Sequence, residues 1–195
     1  MIANLQGKEN ESLIGQYKEN VYMKTRSSRD TVYQLSGTQW IPYLYLDMGK
    51  YQMPIEYEAW YSEDAYNKNA INYWNIPRLE EDDRYFFFTA VRQKYIQKGE
   101  NENDCKFIIY DKKAKEGFVV KDENGMKITD DILGGPNFWP RWSTDNFYIT
   151  TMEWSDLEQW TKEEKHILSP TLQEQFETWG EDTNQLIVLC KKNNI

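Results

Sequence analysis

The sequence predicts a mainly β fold of antiparallel meanders, and three observations carry that prediction. The first is the apolar fraction. Hydrophobic residues make up 39% of the 195-residue chain, and Trp 8, Tyr 14 and Phe 8 supply much of that share. Large rings bury much area per residue and favour pleated sheet over helix. The second is a rhythm of short alternating segments separated by turn residues. The third is the order of elements: strands, helices, strands, helices, strand. That order lacks the βαβ alternation of a doubly wound parallel sheet.

The elements follow in chain order. Leu13 to Thr25 reads as a half-buried strand, with Val21 and Met23 alternating against Tyr22 and Lys24. Ser27-Ser28-Arg29-Asp30 is a turn, Thr31 to Leu35 a second strand, and Ser36-Gly37-Thr38 the next turn. Trp40 to Met48 is the third strand, with Pro42 near its start or on an edge. Pro54 to about Tyr73 reads as a helical connection, with Ser62 as a cap. Arg84 to Tyr95 holds three consecutive Phe, a run suited to burial on both faces. Lys98 to Asp104 is a polar turn, and Cys105 to Asp111 and Gly117 to Lys121 complete a second meander.

Asp122 to Gly125 is another turn, and Asp130 to Pro136 is a breaker-rich loop. Trp139 to Trp142 leads into a strand at Phe147 to Met152. Ser155 to His166 reads as a helix, with Ser155 as N-cap and Glu158 at the capping-box position. Ser169-Pro170 opens a further helix that Gly180 ends. Gln185 to Cys190 is a terminal strand. The meanders recur about every 50 residues, which suggests propeller blades. The expected architecture is a partial, about three-blade β-propeller with short helical insertions. Its approximate blades are 13–53, 78–122 and 126–192, and its helical connections are 54–73 and 155–179.

Charge and motif content narrow the functional classes. The net charge of −9 argues against a nucleic-acid backbone or an anionic membrane as partner. No apolar run approaches the ~18 residues of a membrane span, and Met1 to Asn10 lacks the pattern of a signal peptide. As written, the chain is expected in the cytoplasm. Cys105 and Cys190 form no CxxC pair, so neither a zinc site nor a disulfide scaffold is expected; a single bridge between them is the alternative to two small strand residues.

No P-loop, GxGxxG, GxSxG or HExxH motif occurs, and no cofactor or metal is expected. The one histidine, His166, reads as a helix-end residue rather than a general base. Glu80-Glu81-Asp82-Asp83 reads as a solvated turn. Asp130-Asp131 stands before a Gly-Gly-Pro turn and a Trp, where carboxylates could serve a ligand. Phe138, Trp139 and Trp142, with Arg141 between, could stack on a sugar ring or pack inside the fold. Arg26, Arg29 and Arg84 fall at strand ends or in loops. The candidate ligand-binding set is Arg26, Asp30, Arg84, Asp130, Asp131, Trp139 and Arg141.

Three stretches resemble the six-bladed β-propeller proteins abundant in Bacteroidetes. Within Tyr17 to Tyr51, Asp30-Thr31-Val32-Tyr33 and Asp47-Met48-Gly49-Lys50-Tyr51 are similar to that family's paired strand motifs. Asp130 to Pro140, DDILGGPNFWP, is similar to its Gly-Gly loop ending in Phe-Trp-Pro. Leu168-Ser169-Pro170-Thr171 and Glu181 to Leu189 are similar to its last helix and strand. The resemblance implies a C-terminal half of an exported lipoprotein family about twice this length. A fragment of such a protein would belong in the periplasm or at the cell surface. It would expose sheet edges inviting self-association or pairing with a missing half.

Two function classes follow. One is a non-enzymatic binding or interaction module, with a carbohydrate or protein ligand and a link to glycan or cell-envelope function. The other is a glycan hydrolase or lyase using channel carboxylates and arginines, in which at least two of Asp30, Asp130, Asp131, Arg84 and Arg141 converge. A truncated chain without its own activity is the third expectation.

Overall fold

A computed structural model describes residues 12–25, 31–57, 62–93, 103–121, 128–130, 133–162, 168–180 and 185–192. These residues are mainly β, with three antiparallel sheets and a few short helices. The chain divides into two compact units. One comprises Met1–Leu79 and Phe88–Ile108, the other Glu80–Phe87 and Ile109–Ile195.

The first sheet runs in sequence order through β1 (Ser12–Tyr17), β2 (Asn20–Thr25), β3 (Thr31–Ser36) and β4 (Gln39–Tyr45). The single strand expected over Leu13 to Thr25 is thus a hairpin of two. Its turn is Lys18-Glu19, and Lys18 adopts a φ of 53°. Lysine is an uncommon residue in that left-handed region, so the turn carries none of the usual Gly or Asn punctuation. Gly37, at a φ of 61°, makes the β3–β4 turn by the ordinary route. Across β1 and β2, Gly15 pairs with Tyr22, which is almost fully buried. A Cβ at Gly15 would lie 2.0 Å from the Tyr22 ring, so the ring occupies the space that the missing side chain leaves.

The second sheet is also a four-strand meander. Its strands are β5 (Asn75–Glu81), β6 (Tyr85–Gln93), β7 (Asn103–Asp111) and β8 (Glu116–Val119). β5 has no counterpart in the sequence reading, which took residues 80–83 as a solvated turn. Its Pro77 is tolerated because β5 is the edge strand. Phe86, Phe87 and Phe88 are all buried, as the continuous apolar run requires.

The third sheet has the order β11-β10-β9, from β9 (Trp142–Ser143), β10 (Phe147–Met152) and β11 (Leu186–Lys191). Among the described residues there are three α-helices: α1 (Glu63–Asn69) lies between the first and second sheets in the chain, and α2 (Trp154–Thr161) and α3 (Pro170–Thr178) both lie between β10 and β11 of the third. Ser62 caps α1 by accepting from the Ala65 amide, and Ser169 caps α3 by accepting from the Leu172 amide. α2 starts two residues earlier than its Ser155 suggested. Its N-cap is Glu153, and the reciprocal box is closed by Asp156, so two carboxylates do what Ser and Glu were expected to do.

The first unit buries Tyr17, Tyr22, Val32, Ala70, Ile76, Leu79, Phe88 and Ala90. In the second, Leu157, Leu168 and Leu172 form an apolar cluster with Leu133, Met152, Trp160, Phe176 and Trp179 around it. The Trp160 indole N–H donates to the Gly134 carbonyl at 2.9 Å, tying α2 to the breaker-rich loop. No helix among the described residues is long and apolar enough to cross a membrane.

Candidate functional site

Two groupings stand out, one in each unit. The first is a row of aromatic side chains on β3 and β4. Strand β4 pairs with β3 from Ser36↔Gln39 to Tyr33↔Pro42, then resumes at Val32↔Leu44 and Thr31↔Tyr45. Tyr43 is the extra residue of a β-bulge. Strict alternation would place Trp40 and Tyr45 on opposite faces, because they are five positions apart. The bulge re-phases the strand and sets both on the face that carries Tyr33 and Leu35. On that face Leu35, Trp40, Pro42 and Tyr45 are exposed, Tyr45 at 64%. The opposite face holds the fully buried Val32. Packing on that opposite face is confined to Tyr22, Lys24 and Val32 of β2 and β3, since Ile41 of β4 is itself 43% exposed.

The second grouping is a buried ionic network at the β5–β6 turn. The supposed solvated run is half internal: Glu81 and Asp82 are each only 4% exposed. Asp82 Oδ1 accepts from the backbone amides of Arg84 at 2.7 Å and Tyr85 at 2.5 Å. Its Oδ2 accepts from the Tyr148 hydroxyl and lies 3.6 Å from Lys192 Nζ. Lys192 also donates to Ser143 Oγ at 2.8 Å and sits over the Tyr148 ring. Glu81 accepts from Lys112 Nζ at 2.5 Å, and Lys112 donates as well to the Asp82 carbonyl. Every one of these charges faces an opposite one, which is what burial demands.

Burial, then the bond to Asp82, pushes the Tyr148 phenol well above its ordinary range. Burial pulls the Lys192 ammonium down, and the Asp82 carboxylate opposes that pull. The Ala114 amide, aided by Arg84 and the Lys113 amide, holds the Asp111 carboxyl below its usual range. The hydrogen bond to Asp111 in turn raises Arg84.

The residues singled out from sequence fall in different places. Arg26, Asp30 and Asp131 lie outside the described residues, as do Arg29 and His166. Arg84 pairs with Asp111, its Nε donating at 3.0 Å, and stacks over Tyr85. Asp130 braces its own loop: Oδ1 accepts from the Leu133 amide and Oδ2 from the Gly135 amide. Trp139 is buried and meets Phe87 edge-on at 5.7 Å, so its ring belongs to the core of its unit. Arg141 is exposed, and its backbone amide donates to Ile149. Arg84, Asp130 and Arg141 thus stand in three separate loops with separate duties. Cys105 and Cys190 are not joined in a disulfide.

Sequence reasoning missed the Trp40–Tyr45 face because the bulge is invisible to a period of two. It missed Asp82 because a four-residue acidic run resembles any polar turn. The hint was Leu79-Glu80-Glu81, where an apolar residue and a carboxylate two positions on share one face of β5.

Residues 5–191 match the model of a domain of unknown function, DUF4934, and the chain belongs to that family. No curated protein and no solved structure matches the chain.

Proposed function

We propose that this chain is a non-enzymatic interaction module of the β-propeller type, and that the Trp40–Tyr45 face takes a neutral carbohydrate ligand. The observation that carries this reading is the bulge at Tyr43, which gathers Tyr33, Leu35, Trp40, Pro42 and Tyr45 on one sheet surface. Exposed apolar rows of this kind mark binding surfaces. Aromatic rings offer flat apolar faces to the C–H surfaces of sugar rings, while tyrosine hydroxyls bond to sugar hydroxyls. The net charge of −9 disfavours polyanionic ligands and leaves neutral ones unaffected. Three successive antiparallel meanders support the propeller architecture, and the resemblance to exported propeller proteins points to cell-envelope glycans as the ligand class.

The partners of Asp82 and Asp130 favour binding over glycan cleavage. Asp82 and Asp130 spend their oxygens on backbone amides, a phenol and a lysine rather than facing a cleft.

The test is titration calorimetry against neutral cell-envelope oligosaccharides, with Trp40→Ala and Tyr45→Ala as probes. Wild-type binding that falls at least about tenfold in each variant, ~1.4 kcal/mol, supports the reading. Binding unchanged in both variants, or cleavage of the oligosaccharide during the titration, contradicts it. So does specific binding to a protein alone at this face.

A further inference from the structure

We propose that β11 is an edge through which two copies of this chain pair, antiparallel, about a two-fold axis at Val188. The first two sheets each have four strands, and their third strands, β3 and β7, are flanked on both sides. β11 is the last strand of its sheet, and among the described residues its outer edge is bare. The backbone phase of that edge follows from one bond. The Lys192 amide donates to the Asn146 carbonyl at 2.8 Å. Antiparallel bonding alternates, and β10 pairs Cys190 with Tyr148 and Val188 with Thr150. Leu186, Val188 and Cys190 therefore spend their backbone groups on β10. The N–H and C=O groups of Ile187, Leu189 and Lys191 point outward, and such groups seek partners.

The side chains at those outward positions fit a second copy. Ile187 is 70% exposed and Leu189 57%, and they stand symmetrically about Val188. A two-fold axis at Val188 sets each Ile187 opposite Leu189 of the second copy, in a hydrogen-bonded pair. It sets Lys191 opposite Gln185, so no like charges meet. Moving the axis to Leu189 would set Ile187 opposite Lys191 and lose that match.

The sheet face extends the contact. Ile149 pairs with Leu189 on one side and with Trp142, 51% exposed, on the other. Pairing joins the row Trp142–Ile149–Leu189 to Ile187 of the second copy, a self-complementary arrangement that closes on itself. One short strand per copy buries less than the ~1,200 Å² of a standard interface, so micromolar association is expected. The net charge of −9 on each copy weakens it at low salt. This surface is separate from the β4 face, and the proposal stands whether or not that face binds a ligand.

Sedimentation equilibrium of the full chain, from about 1 to 500 μM, reads the outcome. The expected result is a reversible dimer that tightens with added salt. Leu189→Lys and Ile187→Lys, both at exposed positions, each weaken it at least tenfold, while Trp40→Ala leaves it unchanged. Val188→Cys, in a Cys105→Ser, Cys190→Ser background, forms a covalent dimer on oxidation. The two Val188 Cα atoms would lie about 4.5 Å apart, within disulfide reach. A monomer throughout the range overturns the proposal. A dimer that ignores both lysine variants, or one that fails to cross-link at Val188, overturns it equally.

Discussion

At Asp82 one carboxylate accepts from two backbone amides and a phenol and faces an ammonium, all with little access to water. Removing its charge leaves Lys192 without its nearest carboxylate. Asp82→Asn is expected to cost about 3 kcal/mol, the scale of breaking a buried pair. Tyr148→Phe removes only a charge-assisted hydrogen bond and is expected to cost about 1.5–3 kcal/mol. Urea denaturation of both variants measures these costs. Their double mutant should fall short of the sum, because the two groups share one bond.

The acid limb of stability has a different owner. The Asp111 carboxyl is held below its usual range when folded, so the unfolded chain binds its proton more readily. That stabilisation is complete above the ordinary carboxylate pKa of about 4 and is lost as pH falls below it. Asp111→Asn should therefore lower stability by a constant amount above about pH 4, flatten the curve below it, and leave the slope of the alkaline side unchanged. Thermal melts across that range check it.

At the scale of elements, the β1–β2 hairpin rests on a close approach. The Tyr22 ring fills the space over Gly15, and nothing in the sequence besides the glycine announces it. Gly15→Ala would drive the ring aside and is expected to cost about 1–3 kcal/mol, as overpacking does. Gly180, where a Cβ would meet nothing, is the control: Gly180→Ala should be near neutral. Chemical denaturation of the two variants compares them.

The hairpin also shows where sequence reading stops. Strands with clear alternation, such as β3 and β10, are legible because their turns contain Gly, Ser or Asp. The Lys18-Glu19 turn is hidden, since a lysine at a positive φ carries no compositional mark. β5 is hidden by Pro77 and by the inward-facing carboxylate of Glu81. Helix α3 was fully legible from its Ser-Pro start, whereas α2 was placed late because Glu153 is an unusual cap.

For the whole molecule, composition foretold an aromatic, mainly β fold, and the three meanders bear that out. The candidate site was less legible. Of the residues named in advance, Arg84, Asp130 and Trp139 have structural tasks, because charge and aromatic type do not reveal whether a side chain faces inward. The surface proposed to bind depends on a one-residue bulge that no periodicity encodes.

Its role is tested most directly by amide hydrogen exchange with and without a bound neutral oligosaccharide. Slowed exchange across β3 and β4 on ligand addition is expected, absent in Trp40→Ala, with β10 and β11 unaffected. Protection centred instead on the Arg84–Asp111 hairpin, or none on β4 despite saturating ligand, would contradict it.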